Sequence, residues 1–333
     1  MLWVTLWGLL WGVYFMLDGF KFGVGMTFFY VCKTEAEKLN LLNLLSGSGG
    51  GNAIWLVSAT CATIAAFPLS FNFLLYYFFT PVFFIFFVLI LRNILIFFRV
   101  RNIKHRIKKI FDYLIVICSA LPSFLFGVAF GNILQGILSE KTLHLGFFPS
   151  ILNPFGFLSG FVLLSFCLVH GSLWTAFKTE GTTSSRAFHL LPYLFPLLAF
   201  SITLLIVVTY LSTSLFQIFY NTPLLLLFPL LCIISILSSY FMRLKSLLIS
   251  FLVSGFSIIF FIFTGLTNFY SIMTNQQMIF SLKEANSLLN VFAVAILGLV
   301  LIVISFHLWT FIVFNKSKLE LSNKLKRQDA KII

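Results

Sequence analysis

Charged residues are scarce in this chain, making up 9% of its 333 residues, with nine Asp and Glu against 22 Lys and Arg. A soluble domain carries roughly 25% charged residues, whereas here 60% of the residues are hydrophobic. So much apolar surface cannot be hidden from water in a soluble fold. The apolar runs are continuous rather than alternating, which predicts an all-α polytopic membrane protein and excludes a β-barrel.

Several signatures of specialised chemistry are also missing. The five cysteines show no Cys-x-x-Cys spacing, which argues against a disulfide framework or a metal site. No Gly-x-x-x-x-Gly-Lys loop is present, so an ATP-driven pump within this chain is excluded. We expect no cleavable signal peptide, because no basic residue precedes the first apolar run.

The net charge of +13 has a simple explanation in a membrane protein. Basic loops contact the anionic lipids of the cytoplasmic leaflet, so we expect membrane lipids to be partners. No basic patch interleaved with exposed aromatic residues belongs to a soluble domain, and we therefore expect no nucleic-acid binding.

Apolar runs long enough to cross a membrane, which takes about 20 residues per helix, define the organisation of the chain. Nine runs qualify: 2–23, 52–70, 73–98, 111–134, 153–176, 190–212, 222–241, 246–266 and 288–314. Together they form a membrane domain over residues 1–314, followed by a basic tail at residues 315–333.

The orientation of these spans follows from lysine and arginine, which favour the cytoplasmic side. With the basic segment 99–109 in the cytoplasm, alternation of the spans places the tail on the same side. Only Lys141 and Lys283 then fall outside. The sequence therefore predicts a multi-pass protein with its N-terminus outside and its C-terminus in the cytoplasm.

Asp18 is the most informative single residue, because it interrupts the first apolar run with a carboxylate. A charge at membrane depth costs about 2.5–3.5 kcal/mol on insertion scales, so it usually has a function or a partner. One interpretation is proton handling. The other is an ion pair with Lys21, which lies three residues on and on the same helical face. The local sequence does not decide between them.

Three glycine-rich or polar patches also depart from the Leu and Phe background. One is Ser46–Leu56, ahead of the second span, and another is Leu152–Gly156, at the start of the fifth span. The remaining patch, Phe126–Gly136, closes the fourth span. It contains Gly127 and Gly131 at the Gly-x-x-x-Gly spacing that allows helix backbones to approach closely. Its Asn132 and Gln135 require hydrogen-bond partners at a helix end or across an interface.

In this order the patches resemble subunit II of the cytochrome bd quinol oxidases. Asp18–Gly25 is similar to that family's Asp-Gly-Phe-Asp-x-Gly-Val-Gly segment. Part of the family's Trp-Asp-Gly-Asn-x-x-Trp segment is matched by Gly51, Asn52 and Trp55. Gly127–Gly136 reproduces Gly-Val-Ala-Phe-Gly-Asn-x-x-Gln-Gly, and Leu152–Gly156 reproduces Leu-Asn-Pro-Phe-Gly. The resemblance runs from the first span to the ninth.

The resemblance implies a nine-helix, haem-free subunit built as two four-helix bundles plus one peripheral helix. The bundles would cover roughly residues 1–136 and 151–266, with the last helix at 288–314. Its partner would be subunit I, which carries haem b and haem d and oxidises quinol, so no cofactor is expected on this chain. A structural quinone and small accessory subunits are compatible with the resemblance, and the location implied is the bacterial inner membrane.

The resemblance also implies roles for individual residues. Asp18 matches an acid proposed to conduct protons, and Trp55 matches a tryptophan near the mouth of a dioxygen route. Two departures affect the proton path. Lys21 stands where the family has a second acid, and Gly49-Gly50 replaces the Trp-Asp dipeptide.

The histidines agree with a haem-free chain. Haem needs axial His, Met or Cys ligands held deep in a bundle. Only His170 and His307 lie within the predicted spans, and we interpret each as hydrogen-bonded packing rather than as a ligand.

A second class of function remains open from the residues alone. A secondary transporter or lipid-handling protein could use Asp18 and Lys21 as a coupling pair, with broken helices at segments such as Asn153-Pro154. The odd number of spans and the lack of an evident repeat argue against it.

Overall fold

A computed structural model describes residues 2–47, 49–66, 68–101, 105–135, 152–213 and 215–275, with the isolated positions 298, 301 and 305. Every regular element in these ranges is helical, which confirms the all-α class. The helices are α1 (Leu2–Val31), α2 (Glu35–Gly47), α3 (Gly49–Ala66), α4 (Pro68–Val100), α5 (His105–Gln135), α6 (Pro154–Lys178), α7 (Gly181–Ser212), α8 (Leu215–Asn221), a 3-10 turn (Pro223–Leu226), α9 (Leu227–Met242) and α10 (Leu247–Asn275).

Six helical segments in the described ranges are long and apolar enough to cross a membrane. They are Val82–Val100, Arg106–Gln135, Pro154–Lys178, Gly181–Ser212, Pro223–Met242 and Leu247–Thr267. The predicted spans 2–23 and 52–70 overlap α1 and α3, which are not among the six. In α1 the tryptophans, glycines, Asp18 and Lys21 lower the hydropathy. The span at 288–314 and the basic tail lie outside the described residues, so the count of nine stays a prediction.

The helices differ from the sequence prediction in five places. Helix α2 was missed, because its polar residues make it too hydrophilic for a span. Helix α3 begins at Gly49, so the glycine-rich patch lies in its first turn. Only residue 67 separates α3 from α4, whereas the predicted spans 52–70 and 73–98 place the break at residues 71–72. Helices α5 and α7 also start earlier than the apolar runs, since polar helical turns extend beyond the apolar segment.

Helix α1 lies at the centre of the packing and contacts α3, α5, α6, α7 and α10. Its closest approach is to α6, where Gly23 and Gly171 face each other. A Cβ added to Gly23 would lie 2.7 Å from the carbonyl carbon of Cys167 and 2.8 Å from the Cα of Gly171. Backbones this close leave no room for a side chain, so the two glycines fix how α1 seats against α6. The division into two four-helix bundles remains a prediction.

The Gly-x-x-x-Gly segment of α5 packs against α6 of the same chain. A Cβ on Gly127 would lie 2.7 Å from both the Cα of Gly160 and the carbonyl oxygen of Ser159. A Cβ on Gly131 would lie 2.5 Å from the Cβ of Ser159. Both glycines therefore allow close packing between two helices of this chain.

The start of α6 is held by two asparagines, which leads to a first prediction. Asn153 caps the helix, its Oδ1 accepting from the Gly156 N–H at 2.7 Å, while its Nδ2 donates to Asn132 Oδ1 at 2.8 Å. Replacing Asn153 by alanine should destabilise the protein by about 1 kcal/mol for the lost cap, with a further loss at Asn132. Asn153→Asp keeps the cap acceptor and should cost less. Thermal unfolding in detergent would rank the variants, and equal midpoints for Asn153→Ala and the unaltered chain would contradict this role.

A buried charge cluster in the membrane domain

Asp18 and Lys21 form an ion pair inside the helix bundle. Lys21 Nζ lies 3.1 Å from Asp18 Oδ1, and the two residues are 5% and 6% exposed. Asp18 lies about 20 Å along α1 from its end at Val31, given a rise of 1.5 Å per residue. The pair is therefore far from either end of the helix, as the sequence had indicated.

Helix α3 contributes a neutral donor to the same carboxylate. Asn52 Nδ2 donates to Asp18 Oδ1 at 3.2 Å and to the Leu17 carbonyl oxygen at 2.7 Å. Asn52 sits in the first turn of α3, so this short glycine-rich segment places an amide against the middle of α1. The hydrogen bonds satisfy part of the carboxylate in a site that water reaches poorly.

A second cation, Arg92 of α4, completes the cluster and was missed by the sequence analysis. Arg92 is 3% exposed, and its guanidinium carbon lies 4.7 Å from the centre of the Phe22 ring, a cation–π geometry. Its Nε and Nη1 have no hydrogen-bond partner within the described part of the chain. The signal was present, since Arg92 interrupts an apolar run as Asp18 does. The buried charge cluster thus consists of Asp18, Lys21 and Arg92.

Aromatic side chains pack beside the cluster. Tyr14, one turn before Asp18, is buried among Trp11, Phe15 and Phe126, with ring centres 5.1–6.1 Å apart. Trp55 is also buried and lies one turn after Asn52 in α3. The cluster is therefore bordered by a large apolar surface on α1, α3 and α5.

A second network of charges ties α2 to the ends of α4 and α5. Arg99 is fully buried, and its Nε donates to Asp112 Oδ1 at 2.6 Å. Its Nη2 donates to Glu35 at 3.1 Å, and Lys38 Nζ donates to Asp112 Oδ2 at 2.8 Å. We call Glu35, Lys38, Arg99 and Asp112 the α2 network. From the sequence, Arg99 served only to orient the spans, and Asp112 was not recognised as a site residue.

Glu37 links the same helix to α7. Its carboxylate accepts from the Lys33 N–H at 2.7 Å, the Thr34 N–H at 3.0 Å, the Thr182 hydroxyl at 2.7 Å and Arg186 Nη1 at 3.0 Å. These donors, first the backbone of Thr34 and then Thr182 and Lys33, hold the pKa of Glu37 well below its usual range.

The low pKa of Glu37 predicts a dependence of stability on acid. The unfolded chain binds a proton at this carboxylate more readily than the folded chain does. The contribution of Glu37 to stability is therefore present above the ordinary glutamate pKa of about 4.3 and is lost as the pH falls below it. Acidification should lower the unfolding midpoint of the unaltered chain more than that of Glu37→Gln. Glu180→Gln, at an exposed side chain, is the matched control and should keep the full acid dependence.

His170 is held by hydrogen bonds through both ring nitrogens. Its Nδ1 lies 2.7 Å from Ser254 Oγ and its Nε2 lies 3.0 Å from the Met16 carbonyl oxygen, while the ring stacks on Phe251 at 4.3 Å. A carbonyl can only accept, so Nε2 carries the hydrogen. His170 thus joins α6 to α1 and α10 and presents no nitrogen to a haem iron. Among the described residues no group of three or more His, Cys, Asp and Glu could hold a metal ion. His307 lies outside them.

The structure places the sequence-selected residues at two separate positions. Asp18 belongs to the buried charge cluster, and Trp55 lies near it on α3. The other four residues lie along the contact between α5 and α6: Gly127, Gly131, Asn132 and Gln135. Asn132 Nδ2 donates to the Val128 carbonyl oxygen at 2.8 Å, besides its bond from Asn153. Gln135 Oε1 has no hydrogen-bond partner among the described residues. Nothing in the geometry joins the two groups into one site.

Fold and buried charges together define a class: a multi-pass helical membrane protein that keeps ionisable side chains inside its bundle. The particular family follows from comparison with known proteins. The chain belongs to the cytochrome bd terminal oxidase subunit II family, whose model matches residues 1–314.

Individual relatives agree with this assignment. The chain is 30% identical to the cytochrome bd-I ubiquinol oxidase subunit 2 of Escherichia coli K12 over 190 residues, 54% of this chain and 50% of that protein. It is 27% identical to the cytochrome bd ubiquinol oxidase subunit 2 of Bacillus subtilis over 187 residues, 56% of this chain and 55% of that protein. The chain thus spans about half the length of these curated relatives.

The fold is similar to that of a solved structure, the bd oxidase from Geobacillus thermodenitrificans. The TM-score is 0.69 over 94% of this chain and 97% of that chain, at 14% sequence identity. At this identity the similarity concerns the fold alone.

Proposed function

We propose that this chain is the haem-free subunit II of a cytochrome bd-type quinol:dioxygen oxidoreductase in the bacterial inner membrane. In this assembly it stabilises a haem-bearing subunit I, where electrons from quinol reduce dioxygen to water. Protons for that reaction come from the cytoplasm, so turnover builds a proton gradient. The observation that carries the proposal is the family match over residues 1–314. The chain alone is not catalytic in this scheme, because the haems b and d and the quinol belong to subunit I.

Proton access is the first contribution we assign to this chain. Two groups of ionisable side chains support it: the buried charge cluster, and the α2 network, in which Arg99 and Asp112 are buried. Arg92 and Arg99 belong to one group each and lie seven residues apart in α4, which is two turns, or about 10 Å, along one face of the helix. One face of α4 therefore carries ionisable side chains both at the end of the bundle that we predict to be cytoplasmic and in the interior of the bundle.

Dioxygen access is the second contribution. Dioxygen is apolar and needs no hydrogen bonds, so a path for it is lined by apolar and aromatic side chains. Trp55 is buried where α3 meets α1, and the nearby Trp7 and Trp11 direct their indole N–H groups to Thr63 Oγ1 at 2.6 and 3.2 Å. With their polar atoms turned to Thr63, the ring faces leave an apolar surface that suits such a path.

The transporter alternative has less support than the oxidase. It was based on Asp18 and Lys21 as a coupling pair, but Arg92 gives the cluster a second cation that this idea does not use. The family match also covers the whole membrane domain.

The decisive experiment is a reduced-minus-oxidised absorption spectrum of the tagged chain, purified gently from its native membranes. We expect bands of haem b and of the chlorin-type haem d, together with a second co-purifying membrane subunit. A colourless protein that is homogeneous and stable without a partner would rule out the oxidase proposal. Transport assays in vesicles holding this chain alone would then become the relevant test.

A further inference from the structure

The buried charge cluster contains one more cation than anion. Asp18 is its only carboxylate, whereas Lys21 and Arg92 are both basic, and all three are less than a tenth exposed. None of the ion pairs within the described residues involves Arg92. Asn52 is neutral, and within the described part of the chain the other titratable groups that interact with the cluster are the Tyr14 hydroxyl and the thiols of Cys118 and Cys167. The surplus positive charge is therefore not balanced by these neighbours.

A surplus charge in a low-dielectric interior is removed most readily by releasing a proton. Arginine does not deprotonate in proteins, so Arg92 stays charged. Lys21 and Arg92 both favour the negative charge of Asp18. Lysine, in contrast, is the basic residue that readily becomes a neutral amine when buried. Loss of one proton from Lys21 would leave Asp18 and Arg92 as a balanced pair.

We propose that Lys21, and not Asp18, is the group in this cluster that takes up and releases a proton. Lys21 then alternates between an ammonium, with net charge +1 on the cluster, and an amine, with net charge zero. Uptake forms an N–H bond between the amine and a proton delivered by water, and release breaks that bond again. Asp18 and Arg92 remain a fixed pair of opposite charges. The inference rests on the proposed role of this chain in proton access.

The geometry suits this exchange in both states. As an ammonium, Lys21 pairs with Asp18 Oδ1 at 3.1 Å. As an amine it can still donate one N–H to the same oxygen, and it gains a lone pair that accepts the incoming proton. The Nε and Nη1 of Arg92, which have no hydrogen-bond partner among the residues that the structure describes, are buried donors of the kind that internal water satisfies. Water is also the carrier that the exchange requires.

Substitutions at Lys21 separate proton exchange from a merely structural cation. The purified oxidase complex is reconstituted in vesicles, and quinol-driven proton uptake is followed with a pH-sensitive dye. Lys21→Arg keeps the charge but cannot release a proton, so uptake should fall at least roughly tenfold, as in Lys21→Met. Lys21→Asp provides another exchangeable group and should keep uptake. Its pH profile should shift to lower pH, because a carboxylic acid loses its proton at lower pH than an ammonium.

The controls make each outcome decisive. Lys33→Arg, at an exposed position just after α1, should behave like the unaltered complex. Haem content and yield report assembly of every variant. Uptake at the normal rate in Lys21→Arg would overturn the inference, and so would a pH profile of Lys21→Asp that coincides with that of the unaltered complex. If the unaltered complex itself oxidises quinol without proton uptake, the proposed role in proton access fails instead.

Discussion

Replacing Asp112 by alanine should strongly destabilise the protein. Asp112 is 1% exposed and accepts hydrogen bonds from Arg99 Nε at 2.6 Å and from Lys38 Nζ at 2.8 Å. Without it, the fully buried Arg99 keeps only Glu35 as a charged partner among the described residues, and the Glu35 carboxylate is 44% exposed. Breaking a buried ion pair by removing one member costs about 3–5 kcal/mol. This cost is a large share of the free energy of unfolding of a typical domain, which is roughly 5–15 kcal/mol.

The measurement is the thermal unfolding midpoint of the purified protein in detergent. Asp112→Asn keeps an acceptor for Arg99 but loses the charge, so its midpoint should lie between those of Asp112→Ala and the unaltered chain. Lys109→Ala removes an exposed charge from the same helix and should leave the midpoint nearly unchanged. If Asp112→Ala unfolded at the same temperature as Lys109→Ala, the α2 network would contribute little to stability.

The fate of the individual charged residues explains what could be predicted from the sequence. Asp18 was found because a carboxylate in an apolar run is conspicuous. Helical spacing made a pair with Lys21 one of two open interpretations, and the structure shows that the pair forms. Arg92 satisfies the same criterion, but its place in the cluster depends on the tertiary packing that brings its guanidinium over the Phe22 ring of α1. Asp112 lies at the end of an apolar run, where a charge costs little in a linear reading. Its burial depends on α2, which the hydropathy pattern did not reveal.

The fold was predictable to the extent that it depends on composition. Long apolar runs fix the all-helical class and the positions of most helices. Their ends and contacts depend on tertiary packing, as in α7, which extends nine residues before the predicted span at 190. The glycine contacts were also only partly predictable from the sequence. Gly127 and Gly131 carry a recognisable spacing, whereas Gly23 and Gly171 lie on different helices and are matched only in the folded chain.

Alanine at Gly23 should therefore be among the most damaging of small substitutions. The added Cβ would overlap the carbonyl oxygen of Cys167, a backbone atom of α6 that cannot rotate away. Alanine favours a helix over glycine by about 0.5–1 kcal/mol, but forcing two packed helices apart costs about 1–3 kcal/mol or more. The clash should dominate, because the contact is between backbones along the central helix of the fold.

Gly19→Ala provides a matched control one turn earlier in α1. There the nearest atoms to an added Cβ are Cys167 Sγ and Ile258 Cδ1, each at 3.6 Å, which is ordinary contact. We expect Gly19→Ala to leave the unfolding midpoint unchanged or slightly raised, and Gly23→Ala to lower it together with the yield of folded protein. Equal behaviour of the two variants would mean that α1 can move away from α6 at little cost. The position of Asp18 and Lys21 relative to α3 and α4 would then not be fixed by this contact. Opposite signs would show that the fit between Gly23 and Gly171 holds the charge cluster in place.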